Sequence, residues 1–163
     1  MSAMRRASRH LFPDQDHDHL SCVSHALDEA RRVCRSRGAR LTELRARVLE
    51  IVWQSHRPLG AYDMLAVLAA EGRSAAPPTV YRALDFLLEQ GLVHRLSSLN
   101  AYVGCSRPGH AGSAQFLICE RCGNAAELDD EEVVRAIGRS ATSHGFEISR
   151  HTVEISGLCP ECR

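Results

Sequence analysis

Apolar side chains recur at helical spacing through the first ninety residues and at alternating spacing through much of the remainder. Val23, Leu27, Ala30 and Cys34 fall on one stripe, which predicts a helix over residues 20–37 with Gly38 at its C-terminal cap. Thr42 stands where an N-cap belongs, and Leu44, Val48, Leu49, Val52 and Trp53 predict a second helix to about residue 55, ended by Arg57 and Pro58. A third is predicted over residues 61–71, burying Met64, Leu65 and Leu68 and stopping at Gly72. After the Ala75, Ala76, Pro77, Pro78 connector a fourth is predicted over 79–90, its prolines suited to a first turn and Gly91 closing it. Two strand-like runs, 92–96 and 101–104, flank a turn at Ser97, Ser98, Leu99 and Asn100.

Helices joined by short links and followed by a hairpin are the order of a winged helix-turn-helix, whose last helix enters the major groove of DNA while the hairpin lies beside the phosphates. Residues 106–113 contain Pro108, Gly109 and Gly112 and read as a hinge linker. Beyond it, strands are predicted at 115–118, 125–128 and 147–155, with a helix over 131–144 before the last. The expected fold class is therefore α+β: a mobile polar tail over 1–19, a winged-helix DNA-binding domain over 20–105, the hinge, and a small C-terminal α/β dimerisation domain over 114–163. About fifty residues form too small a core to be secure alone, so this last module is expected to need a metal staple and a partner.

The cysteines supply the staple. Cys119 with Cys122 and Cys159 with Cys162 form two C-x-x-C pairs separated by 36 residues. Two such turns brought together offer four thiolates in the tetrahedral set of a structural zinc site. Seven cysteines are present, an odd number that fits poorly with a framework of disulfides. No apolar run is long enough to span a bilayer. The N-terminus, with Arg5, Arg6 and Arg9 but no apolar block behind them, does not read as a secretory signal, so a cytoplasmic protein is expected.

Charge sharpens the division of labour. The net charge is zero, yet residues 1–109 carry fifteen arginines against eleven acids and residues 110–163 five against nine. A basic front half can meet phosphate while an acidic back half faces elsewhere. An enzyme is not expected. A nucleobase deaminase would require a histidine followed two positions later by glutamate, which is missing here, and four thiolates leave no open coordination position for water.

The stretch Pro77 Pro78 Thr79 Val80 Tyr81 Arg82 Ala83 Leu84, with Leu87 and the Gly91 Leu92 Val93 His94 turn, resembles the recognition-helix region of the ferric uptake regulator family. The two C-x-x-C pairs match it too, from about residue 20 to the end of the chain, and the likeness is strongest to its zinc uptake regulator branch. The resemblance implies a homodimeric repressor that binds an inverted-repeat operator in double-stranded DNA when zinc is bound and controls zinc uptake genes, with neither a membrane nor a small-molecule substrate as partner. A redox-responsive or other-metal-responsive regulator of the same family is the alternative.

Tyr81 and Arg82, in the first turns of the fourth helix, suit contact with a thymine methyl and a purine edge. Thr79, Arg40 and Arg45 are candidate phosphate contacts. A structural ion does not report zinc levels, so a sensor requires a second site. In the zinc branch, the positions of His94, Cys105, His110 and Glu127 match the regulatory ligands, which makes about two ions per monomer. The spacing between Cys105 and His110 is shorter here than in known members. One thiolate with two imidazoles and a carboxylate suits Zn²⁺ better than ferrous or manganous ions. His144, His151 and the N-terminal histidines, including those of the Asp16–His17–Asp18–His19 run, are candidates for a further site. The mechanism expected is that zinc ties the two domains together and sets the recognition helices of a dimer about 34 Å apart. Full switching asks zinc to favour the closed state by roughly 5.5 kcal/mol, which is modest for a good zinc site.

Overall fold

The computed structural model describes residues 11–12, 18–73, 75–108 and 113–163. Asp16, His17 and His110, all named above as candidate ligands, lie outside these residues.

Four helices open the fold: α1 (His19–Ser36), α2 (Glu43–Trp53), α3 (Ala61–Ala70) and α4 (Pro77–Glu89). The helix α1 begins inside the segment expected to be tail, because Asp18 caps it, its carboxylate accepting the Leu20 N–H at 3.0 Å. The predicted cap of α2 is present, Thr42 Oγ1 accepting from the Arg45 amide at 3.4 Å. Prolines occupy the first turn of α4, where a missing N–H costs nothing, so the helix starts two residues earlier than its apolar pattern. Val48, Leu49, Ile51, Val52, Met64, Leu68, Val80, Leu84 and Leu87 interdigitate between these helices as the larger core.

Gly91, at φ +68°, turns the chain from α4 into the hairpin β1 (Val93–Leu96) and β2 (Ala101–Gly104). Leu59 and Tyr102 exchange two backbone hydrogen bonds at 3.0 and 2.8 Å, so the α2–α3 connection becomes a third, one-rung partner of the hairpin. This is a winged helix-turn-helix.

The C-terminal unit is a three-stranded sheet ordered β4 (Ala125–Glu127), β3 (Ser113–Cys119) and β5 (His151–Gly157), with α5 (Glu131–Ser143) as the crossover. β3 pairs antiparallel with β4 and parallel with β5. The last strand, expected at 147–155, starts at His151, which is paired with Ser113 at the start of β3; among the described residues none pairs with 147–150. Because β3 and β5 run the same way, both C-x-x-C turns leave the sheet at one end.

The two units share a seam. Leu96 and Val103 of the hairpin pack against Ala114, Phe116 and Ile118 of β3 in a second, smaller core. The Ala125 amide donates to the His56 carbonyl at 3.1 Å, and Arg107 pairs with Asp129 across the hinge. Among the described residues no helix is long and apolar enough to cross a membrane.

Candidate functional site

The four cysteines of the doubled C-x-x-C converge. Cys119 ends β3, Cys159 follows β5, and their sulfurs and those of Cys122 and Cys162 all lie within 4.8 Å of one another. Cys122 Sγ and Cys159 Sγ are 3.8 Å apart, and tetrahedral thiolates at about 2.3 Å from a zinc ion would be separated by about 3.8 Å. The backbone favours a negative sulfur at Cys119. Amides of Cys122 and Cys159 point at Cys119 Sγ and lower its thiol to about 6, while the crowding of Cys159 and burial push Cys162 up to about 12. Four sulfurs so arranged form a donor set that fits zinc.

A second cluster lies on the seam. His94 is on β1, Cys105 immediately follows β2, and Glu127 ends β4; one donor atom from each lies within 4.8 Å of the others. The Cys105 amide donates to the Leu92 carbonyl at 3.0 Å, which fixes the residue just beyond the hairpin. His94 Nε2 stands 3.4 Å from Glu127 Oε1, and its ring meets Phe116 edge-on with centroids 5.2 Å apart. The other carboxylate oxygen, Oε2, accepts from the Ser106 N–H at 3.0 Å and its hydroxyl at 2.6 Å. Glu127 is thereby aimed by Ser106, the residue after Cys105.

Electrostatics mark the cluster as prepared for a cation. Burial alone would raise the Glu127 carboxyl, but His94 and the two Ser106 donors hold it at about 2. Cys105 is 2% exposed, and burial, reinforced by the Glu127 charge, pushes its thiol up to about 12. One sulfur, one imidazole and one carboxylate make a donor set that suits a mixed zinc site. The fourth expected ligand, His110, is outside the described residues.

The remaining candidates form no comparable cluster among the described residues. His144 Nδ1 donates to the Ser140 carbonyl at 2.8 Å, and the His19 and His56 rings stack at 4.6 Å.

On α4, Val80, Ala83, Leu84 and Leu87 face the core, which turns Tyr81 and Arg82 outward; Tyr81 is 38% exposed. Thr79 is half-buried at the start of the same helix, and Arg40 is exposed. Arg45 is more engaged than its sequence context suggests. Its guanidinium lies 3.7 Å over the Phe86 ring and donates to the Arg40 carbonyl at 2.6 Å, so it ties the α1–α2 connection to the recognition helix. Sequence reasoning missed Ser106, which holds Glu127, and Trp53, whose indole lies against Gly104 beside Cys105. A serine directly after a candidate ligand was the available signal for the first.

Known proteins share this arrangement. The zinc uptake regulation protein of Escherichia coli K12 is 42% identical over 139 residues, which cover 83% of this chain and 80% of that protein. The crystal structure of holo XcZur superposes with a TM-score of 0.78 at 43% identity, covering 85% of this chain and 96% of that one. A zinc uptake regulator complexed with zinc and DNA gives 0.78 at 39% identity, over 85% and 93% of the two chains. Apo XcZur, nearly as similar in sequence at 41%, superposes at only 0.52 over 87% and 98%. The model of the ferric uptake regulator family matches residues 36–156, which include the recognition helix, the seam cluster and the first C-x-x-C pair. Agreement in sequence and in three-dimensional arrangement over so much of its length means that this chain belongs to the ferric uptake regulator family.

Proposed function

We propose that the protein is a zinc-responsive transcriptional repressor that binds operator DNA as a dimer when zinc is bound and controls zinc uptake genes. The observation that carries this reading is the His94–Cys105–Glu127 cluster, because its ligands come from both sides of the seam. An ion held there ties the wing to the C-terminal unit, and His110 in the hinge is the fourth ligand. The cage of Cys119, Cys122, Cys159 and Cys162 holds a second, structural zinc and makes no reference to the wing. The closer match to the holo and DNA-bound relatives than to the apo form supports the described arrangement as the closed one. In this reading the winged helix spans 20–105, the hinge 106–113 and the dimerisation unit 114–163.

DNA contact falls to α4, with Tyr81 and Arg82 reading bases, and Thr79, Arg40 and Arg45 on the phosphates. Dimerisation falls to the face of the C-terminal unit that the wing leaves uncovered. α5 has no fully buried residue in the monomer, its apolar stripe of Val133, Val134, Ile137 and Ala141 is only half-covered, and Phe146, Ile155 and Leu158 are 67%, 44% and 48% exposed. A second copy is the partner that covers such a face in this family. The protein carries out no reaction of its own and works on DNA in the cytoplasm. Burial raises the thiols of Cys22 and Cys34, which makes them poor nucleophiles and weakens a redox-switched reading.

The test is a zinc titration of DNA binding, using a duplex that the zinc-loaded dimer selects from a random pool. Cys105→Ala is expected to remain a folded dimer and to lose zinc-dependent binding, whereas Cys119→Ala loses the C-terminal unit. Normal binding by the Cys105 variant at low free zinc would sink the assignment.

A further inference from the structure

A further polar contact crosses the seam at the wing tip, away from the candidate metal ligands. Glu154 lies in the middle of β5, paired across the sheet with Phe116 of β3, so both side chains stand on one face. That is the face on which Leu96 of the wing is packed. The wing turns immediately after Leu96, and there the carboxylate of Glu154 accepts the Ser97 N–H on Oε1 at 2.7 Å and the Ser98 N–H on Oε2 at 3.0 Å. Each oxygen has its own donor. Burial would raise the carboxyl, but these amides and the Ser98 side chain lower it overall, so Glu154 is ionised at neutral pH. Such charge-assisted bonds are about twice as strong as neutral ones.

From this geometry we infer that Glu154 is a positioning residue of the switch, a metal-independent latch that holds the wing tip to the dimerisation unit and thereby sets how much zinc is needed for closure. The inference rests on the zinc-switch reading above. The wing is anchored at two separated points. His94 and Cys105 flank the base of the hairpin, where the ion would sit, while Ser97 and Ser98 are at its tip. An ion at the base restrains one end of the hairpin and the Leu96–Val103 packing on β3 is non-directional; holding the tip as well fixes its direction and that of α4, which precedes it directly. The apparent zinc affinity of a site that exists only in the closed state scales with the closed fraction. Whatever the latch adds to closure therefore appears as a lower zinc threshold.

Glu154→Gln replaces one acceptor oxygen with an NH₂ that confronts an amide N–H, and removes the charge. In the full-length dimer, binding of the selected duplex across a zinc-buffered series should reach half-saturation at about tenfold higher free zinc, with affinity at saturating zinc within about twofold of wild type. Sedimentation and bound-metal content check that the dimer and the cage ion are retained. If that variant loses them, Glu154→Asp, which keeps the charge and withdraws it by one methylene, should give the same shift. Amide exchange at Ser97 and Ser98 should accelerate in the variant, a local change that a general loss of stability would not confine to the wing tip. A wild-type zinc midpoint would overturn the latch. So would tighter DNA binding at low zinc, which would mean that the carboxylate competes with phosphate for these amides. The two readings fail separately: a Cys105→Ala protein that still responds to zinc removes the switch itself, whereas an unresponsive Cys105→Ala beside an unshifted Glu154→Gln removes only the latch.

Discussion

Cys105 and Glu127 would meet zinc in opposite states of preparation. The carboxylate, held at about 2, is ionised throughout the physiological range, whereas the thiol, pushed up to about 12, keeps its proton until a cation arrives. Loading the seam site must therefore release the Cys105 proton. Zinc affinity should rise about tenfold per pH unit near neutrality, read by competition against a chelator of known affinity, and Cys105→Ala should flatten that slope. The same shifts act on the metal-free fold. Glu127 contributes stability that is present above its unfolded value near 4.3 and is lost as pH falls toward 2, while the protonated Cys105 contributes stability that fades as pH rises above about 8.5. One residue before Cys105, a Cβ on Gly104 would collide with the Trp53 indole, so the strand end can approach only as glycine. Gly104→Ala should cost about 1–3 kcal/mol in urea unfolding and weaken zinc binding by displacing Cys105. Trp53 is the single tryptophan of the chain and lines one cavity with Cys105, so its emission reports both effects.

At the scale of elements, α5 and β5 carry the apolar surface that the monomer leaves half-covered. Ile137→Asp should convert the dimer to a monomer in sedimentation while the four-cysteine ion is retained, because Ile137 lies on the outer groove with Phe146 and Ile148, away from the cage. Helices were legible because their apolar stripes agree with their caps: Thr42 before α2, the prolines opening α4 and Gly91 beyond it all act where the pattern placed them. β5 was misplaced at its start because alternation in Glu147–Ile155 gives no sign of where the neighbouring strand begins, and pairing, not pattern, decides a strand's extent. Arg45 was legible as a basic residue near the DNA face, but its stacking on Phe86 depends on a helix 41 residues away in sequence. Glu154 passed unnoticed for a similar reason. A charged residue on the polar face of an edge strand looks solvated until the wing is seen to lie over it.

The whole molecule is two units joined by a seam, and the seam sets the two candidate metal sites apart. In the proposed switch an ion on His94, Cys105 and Glu127 would bridge the two units, whereas one in the cage would be held within a single sheet. Graded chelation under reducing conditions should remove the first ion with loss of DNA binding and no change in dimer mass. Only harsher stripping should remove the second, with loss of the dimer. The donors of both clusters were legible as candidate ligands by type and order. That three of them would meet across the seam was not a property of spacing alone; it came with the resemblance, and the geometry of Ser106 and Phe116 around them came only with the fold. The parallel pairing of β3 with β5 has a consequence for how this small sheet finds its alignment. A slip of two residues would keep every side chain on its own face and leave the alternation of apolar and polar positions satisfied. It would also carry Cys159 and Cys162 roughly 7 Å along the strand, away from Cys119 and Cys122. Hydrophobic packing cannot distinguish the two alignments sharply, but a tetrahedral ion would, so a loaded cage would act as a gauge that accepts one register and rejects its near neighbours.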